Sequence, residues 1–204
     1  MAAIEQIRQA SEARRRLLLG PILAVVALAT ALTSVFLLHP SGAPSVGGPF
    51  ELVEAATGRH VSDRDFRGKW LLVFFGYTRC PEVCPTTLSN IAEAMSQLGP
   101  LAAQVRPLFI TLDPERDTLP VLADYAKAFD PRVIALTGGA GEIAAAAWAY
   151  HVYYAKRGTG DDYSVDHTAT IYVLRPDGAC ATSFLSTADA SDIAKQLRIL
   201  LTGA

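Results

Sequence analysis

The sequence predicts an α/β domain, a central mixed sheet flanked by helices, preceded by one N-terminal transmembrane helix. Three observations predict it. Apolar strand runs and helical periodicities alternate from Trp70 onward, a Pro-Asp-Gly turn separates two late strand runs, and a long uncharged segment lies near the N-terminus.

The 22 residues from Leu17 to Leu38 carry no charge; as a helix they would measure about 33 Å, enough to cross a hydrocarbon core. Arg14, Arg15 and Arg16 stand immediately before them, so the positive-inside rule assigns residues 1–16 to the cytoplasm and the rest of the chain to the far side. The expectation is a single pass through the inner (cytoplasmic) membrane with the functional domain facing the periplasm. Ala27-Leu28-Ala29 resembles a cleavage site, but the run outlasts the apolar core of a signal peptide, about 7–15 residues, which favours an uncleaved anchor. Residues 39–49 are rich in Pro and Gly and read as a flexible tether. The folded domain then spans residues 50–204.

Within it, Trp70–Tyr77 is a continuous apolar run with aromatic and β-branched residues, the pattern of a strand buried on both faces. Thr86–Leu98 places Leu88, Ile91, Met95 and Leu98 at helical spacing, and Val105–Leu112 returns to a strand, so the three form a parallel βαβ unit. A helix over Leu119–Phe129, a strand over Val133–Leu136 and an Ala-rich helix over Gly141–Tyr150 follow. Lys156–Asp166 is a polar stretch. Ala169–Leu174 and Cys180–Leu185 flank Arg175-Pro176-Asp177-Gly178 as a hairpin, and Ala188–Leu201 closes the domain as a helix.

The 204-residue chain is 50% hydrophobic and 19% charged with a formal net charge of −2. That balance excludes a disordered or fibrous chain and leaves no basic field to gather nucleic acid. Three cysteines are too few for a disulfide-stapled scaffold and suit a chain that uses them chemically. No G-x-G-x-x-G or P-loop spacing marks a phosphate site, and Ser164, Asp166 and His167 form no nucleophile elbow.

The most informative stretch is Phe75-Gly76-Tyr77-Thr78-Arg79-Cys80-Pro81-Glu82-Val83-Cys84-Pro85. It joins a buried strand to a helix, where unpaired N–H groups and the helix dipole favour thiolates. Cys80 and Cys84 are four apart; on a helical turn they would sit about 6 Å apart at Cα, close enough for a disulfide or for one soft ion. Pro85 would cost an interior hydrogen bond, so regular helix is expected only after Cys84. Two buried cysteines serving as apolar filler are the plainer alternative. His167 precedes the first hairpin strand and could complete a soft set of two thiolates and one imidazole suited to Cu(I), whereas a closed zinc site wants a fourth ligand. Read alone, a loop histidine is more often an ordinary surface or hydrogen-bonded residue.

The segments Phe74–Thr87 (FFGYTRCPEVCPTT), Thr111–Thr118 (TLDPERDT) and Val165–Thr168 (VDHT), in this order behind an apolar segment, closely resemble the Sco/SenC family of copper-binding cytochrome c oxidase assembly proteins. The likeness covers nearly all of Pro49–Leu201. It implies a thioredoxin-like fold and copper, Cu(I) and also Cu(II), held by Cys80, Cys84 and His167. It further implies a membrane-anchored metallochaperone that serves the binuclear copper centre of cytochrome c oxidase subunit II, an assembly factor rather than a conventional enzyme. The alternative within the same resemblance is a thiol–disulfide oxidoreductase whose redox-active pair, Cys80 and Cys84, reduces the cysteines of that centre without metal. Implied partners are subunit II, a thioredoxin-like reductant and other copper chaperones. Glu82 stands where many members carry Asp, which preserves the charge. His167-Thr168 lacks the cis-proline usual in thioredoxin relatives, which argues for copper handling over general disulfide exchange.

Cys180 lies outside the family pattern and reads as a strand filler. Asp113 and Asp117 follow a parallel strand, where ligands gather; docking or tuning of a site competes there with a turn at Asp113-Pro114 and helix capping by Asp117. His39, His60 and His151 read as surface or structural groups. Tyr150, Tyr153 and Tyr154 read as core and edge aromatics.

Overall fold

The computed structural model describes residues 46–203. The predicted anchor at 17–38 and the start of the tether lie outside them, and among the described residues no helix is long and apolar enough to cross a membrane. The elements in order are β1 (Glu51–Glu54), β2 (His60–Ser62), β3 (Trp70–Gly76), α1 (Val83–Gln97), β4 (Val105–Thr111), α2 (Leu119–Phe129), β5 (Ile134–Thr137), α3 (Ala140–Ala149), β6 (Tyr154–Arg157), β7 (Ser164–His167), β8 (Thr170–Leu174), β9 (Cys180–Leu185) and α4 (Ala190–Thr202).

Seven strands form one mixed sheet in the order β2-β1-β5-β4-β3-β8-β9. β3, β4 and β5 run parallel, while β8 joins the other edge of β3 antiparallel and continues into β9. The sequence predicts the βαβ centre and the β8–β9 hairpin correctly because both carry strong local signals. β3 is central, and its residues Leu72 to Phe75 are fully buried. Its side chains alternate between faces as a strand must: Phe74 packs with Phe109 and, through it, with Tyr125 of α2, whereas Phe75 packs on Tyr150 at the end of α3, which in turn meets Tyr172. The fully buried Phe74, Phe75 and Phe109 rings each contribute roughly 1.5–3 kcal/mol by burial.

Three features depart from the sequence expectation. The helix after the cysteine motif begins at Val83, before Pro85. Its first i→i−4 hydrogen bond is Thr86 N–H to the Glu82 carbonyl at 3.1 Å, so Pro85 lies in the first turn, where its missing N–H costs nothing. The polar stretch after Lys156 is not irregular: β6 and β7 pair antiparallel, with Tyr154 opposite His167. Only Val165 of these eight residues is buried, so the hairpin carries no apolar alternation by which it could be read. The short β1–β2 hairpin that extends the sheet beyond β5 likewise lacks a strong local signal. At the other end, the chain is already docked at Gly47, whose N–H donates to the Ala149 carbonyl at 3.0 Å.

Candidate metal centre

β3 and β4 deliver Gly76 and Thr111 to the same edge of the sheet, the carboxyl end where α/β ligands gather. The chain leaves β3 through Tyr77–Glu82 and enters α1. Cys80 lies before the helix, and its Sγ accepts the Cys84 N–H at 3.4 Å, so the sulfur meets one of the unpaired amides of the first turn. The pair thus converges without a helical turn between its members. Cys84 is fully buried and Cys80 half-buried, and neither is in a disulfide.

His167 is the last residue of β7. Its Nε2 is 3.7 Å from Cys84 Sγ. Its Nδ1 lies 3.1 Å from the Thr168 carbonyl, which can only accept, so Nδ1 carries the hydrogen and Nε2 turns its lone pair toward the sulfurs. An outer carbonyl that fixes tautomer and ring direction in this way is the usual support of a histidine ligand. The Phe74 and Tyr77 rings meet the imidazole edge-on at 6.3 and 6.0 Å between centroids. The Cys80, Cys84 and His167 donor atoms all fall within 4.8 Å of one another, and this is the one such metal-capable group among the described residues. Two sulfurs and one imidazole nitrogen form a soft donor set.

The two thiols differ sharply. Cys80 is pulled down to about 4, foremost by the hydrogen bond from the Cys84 thiol, against the opposing effect of burial, and further by the amides of Cys84 and Glu82. Cys84 is pushed well above the ordinary thiol range by that same shared proton and by burial. Between those limits the pair holds one proton, on the buried sulfur. Cys80 should therefore alkylate with iodoacetamide at pH 6 while Cys84 and Cys180 do not; mass mapping of the modified peptides checks this. Equal labelling of Cys80 and Cys180 at that pH would contradict the asymmetry.

Gly76 makes room for the buried sulfur. A Cβ there would lie 2.7 Å from Cys84 Sγ and 2.9 Å from the Phe109 ring. Gly76→Ala is expected to destabilise the domain by about 1–3 kcal/mol through overpacking and to displace Cys84, which thermal unfolding together with thiol labelling would detect.

Two buried carboxylates hold the parts of the site together. Asp117, 1% exposed, accepts from the Thr78 N–H (3.1 Å), the Thr78 hydroxyl (2.5 Å) and the Thr111 hydroxyl (2.6 Å), and so ties the cysteine loop to the end of β4. It does not cap α2, whose N-cap is Thr118. Asp113, fully buried, accepts from Arg116 Nε and from the Tyr163 hydroxyl, both at 2.5 Å. Arg116 in turn donates to the carbonyls of Asp161 and Tyr163 at 3.0 and 2.8 Å and lies over the Tyr163 ring at 3.5 Å. This clasp fastens the start of β7, and hence His167 at its end, to the loop after β4. Of the two alternatives for Asp113, the turn is present too: the Asp117 N–H donates to the Asp113 carbonyl at 3.0 Å. Sequence reasoning does not single out Tyr163, Thr78 or Arg116; an isolated aromatic in a polar stretch is the one available signal for Tyr163.

Cys180 pairs with Leu174 at the far end of β8 and donates to the Thr182 carbonyl, away from the other two cysteines. His60 and His151 are exposed and outside the cluster, and His39 lies outside the described residues.

The SCO1/SenC family profile matches residues 39–202. The chain belongs to the SCO1/SenC family. It is 42% identical over 141 residues to the human mitochondrial SCO1 homolog, covering 67% of this chain and 46% of that protein, and 41% identical over 155 residues to the bovine mitochondrial SCO2 homolog, covering 74% and 58%. The chain thus spans about half the length of these curated relatives. Among solved structures it is similar to Bradyrhizobium japonicum ScoI with copper bound (41% identity, TM-score 0.70, 76% of this chain and 98% of that one) and to Arabidopsis thaliana ScoI with copper bound (34%, 0.73, 78% and 99%). These SCO1/SenC relatives share the α/β arrangement of a mixed sheet with flanking helices.

Proposed function

We propose that this SCO1/SenC protein is a copper-binding assembly factor for cytochrome c oxidase, with Cys80, Cys84 and His167 as the ligands. The observation that carries the reading is the convergence of two sulfurs and a lone-pair-bearing Nε2 within 4.8 Å in a domain similar to copper-bound Sco structures. Copper is the cargo: the soft donors suit Cu(I), and the imidazole extends the set toward Cu(II). Residues 17–38 anchor the chain in the inner membrane, the domain faces the periplasm, and the client is the binuclear copper centre of oxidase subunit II. Other copper chaperones load the site, and a thioredoxin-like reductant keeps the pair reduced.

Cu(I) must displace the proton that Cys84 holds, while Cys80 has none left to lose. Binding therefore releases about one thiol proton at neutral pH, and affinity rises about tenfold per pH unit from neutral pH up through the ordinary thiol range, because Cys84 keeps its proton throughout. Calorimetry in buffers of different ionisation enthalpy, with X-ray absorption on the reduced protein, tests this together with the ligand set. One copper bound by two sulfurs and one nitrogen is the expected result. A fully reduced, folded protein that holds no copper would overturn the reading.

A second reading, thiol–disulfide exchange, is favoured by the asymmetry of the pair. The Cys80 thiolate would attack a client disulfide, the Cys84 thiol would resolve the mixed disulfide, and two electrons would pass to the client cysteines. A Cys84→Ser variant that accumulates the mixed disulfide through Cys80 would support it.

A further inference from the structure

The end of α3 and the turn after it carry a surface that lies outside the metal centre. Trp148, 83% exposed, and Tyr153, 61% exposed, flank a shallow depression of about 500 Å³ whose floor includes Ala144 and Val152. From Ile143 to Tyr154 the chain contains no Asp, Glu, Lys or Arg. His151 holds φ +54°, the one non-glycine residue with positive φ among those described. That sharp reversal buries Val152 and turns Tyr153 outward. An exposed indole and phenol on a charge-free alanine surface match the headgroup layer of a bilayer, where amphipathic aromatic rings concentrate. Surface of this kind enters that layer without the cost of stripping water from a charge.

The chain enters the folded domain beside this surface. Gly47 hydrogen-bonds to Ala149, the residue after Trp148, and a Cβ on Gly48 would lie 3.2 Å from that of Ala149. The uncharged segment ends at Leu38, and residues 39–45 reach at most about 25 Å when fully extended. We propose that the Trp148–Tyr153 surface at the end of α3 docks on the headgroup layer of the bilayer that holds residues 17–38. The inference rests on the membrane anchor of the proposed function. Its consequence reaches the metal centre: Tyr153 exchanges two hydrogen bonds with Thr168, at 2.9 and 3.1 Å, and the Thr168 carbonyl holds His167 Nδ1. A docked α3 surface sets the His167 hairpin at the membrane face.

Trp70 and Trp148 are the only tryptophans, and Trp70 is half-buried on β3, so each can be observed alone. The full chain, as Trp70→Phe and as Trp148→Phe, is reconstituted into phosphatidylcholine vesicles containing brominated lipid and checked by flotation. The expected result is flotation of both variants, a blue-shifted Trp148 emission quenched by bromine placed shallow in the acyl chains, and Trp70 emission that is unaffected. Flotation with Trp148 unquenched and open to aqueous iodide would overturn docking and leave the anchor standing. Flotation with Trp148 unquenched yet shielded from iodide would overturn docking in favour of a protein contact. Failure to float would overturn the anchor and the docking together.

Discussion

His167→Ala is expected to lower Cu(I) affinity by about 100-fold or more, beyond the 10- to 100-fold typical of losing an outer-shell partner. The expectation rests on a lone pair at Nε2 that faces Cys84 Sγ from 3.7 Å, with the opposite nitrogen engaged by the Thr168 carbonyl. Two thiolates would remain, so residual linear coordination of Cu(I) is compatible with the variant, and X-ray absorption should report loss of the nitrogen with both sulfurs kept. His167 is half-buried at the end of a mostly exposed strand, so unfolding should change little, and the affinity loss is then a property of the site. Competition against a Cu(I) chelator measures it. Unchanged affinity and stoichiometry would remove His167 from the ligand set.

Asp113→Ala is expected to cost about 3 kcal/mol of stability, the low end for breaking a buried ion pair, because it leaves the partly buried Arg116 guanidinium without its counter-ion. Asp113 is fully buried and the Arg116 side chain is 10% exposed, so water replaces the lost carboxylate poorly. For a domain of this size the Tm should fall by on the order of 10 °C. The same change frees the Tyr163 hydroxyl and loosens the hairpin that carries His167, and copper affinity should weaken with it by about 10- to 100-fold. Arg116→Met in the Asp113→Ala background should recover part of the stability, since the charge left unpaired is then gone. Additive losses in that pair of variants would show that the two residues do not act as a unit. Tyr163→Phe separates the roles: it keeps the ion pair, removes one 2.5 Å hydrogen bond to Asp113, and should affect copper affinity more than stability.

Elements with strong local patterns are legible in the amino-acid sequence alone. β3 is legible because every residue from Leu71 to Phe75 is apolar and buried on both faces of the sheet, and α1 because Leu88, Ile91 and Met95 repeat at helical spacing along a buried face. The β6–β7 hairpin is not legible, because its stability comes from groups distant in sequence. Asp113 reaches Tyr163 across 50 positions, and Lys156 reaches Glu115 across 41. No window of hydropathy contains such a pair. The start of α1 departs from expectation for a different reason. Pro85 reads as a helix breaker, but whether it breaks a helix depends on its distance from the first hydrogen-bonded amide, here that of Thr86.

By itself the sequence determined the α/β class, the cysteine pair at the strand-to-helix junction and, by resemblance, the family to which His167 belongs. These follow from local periodicity and from motifs whose residues are neighbours in the chain. Only the tertiary structure decided that Cys80 and Cys84 differ in charge, that His167 turns Nε2 toward them, and that Asp113 and Asp117 serve as internal fasteners. Each of those depends on burial and on hydrogen bonds between residues far apart in sequence, such as Thr78 with Asp117 and Cys84 with His167, and such partners meet only when the sheet brings its strand ends to one edge.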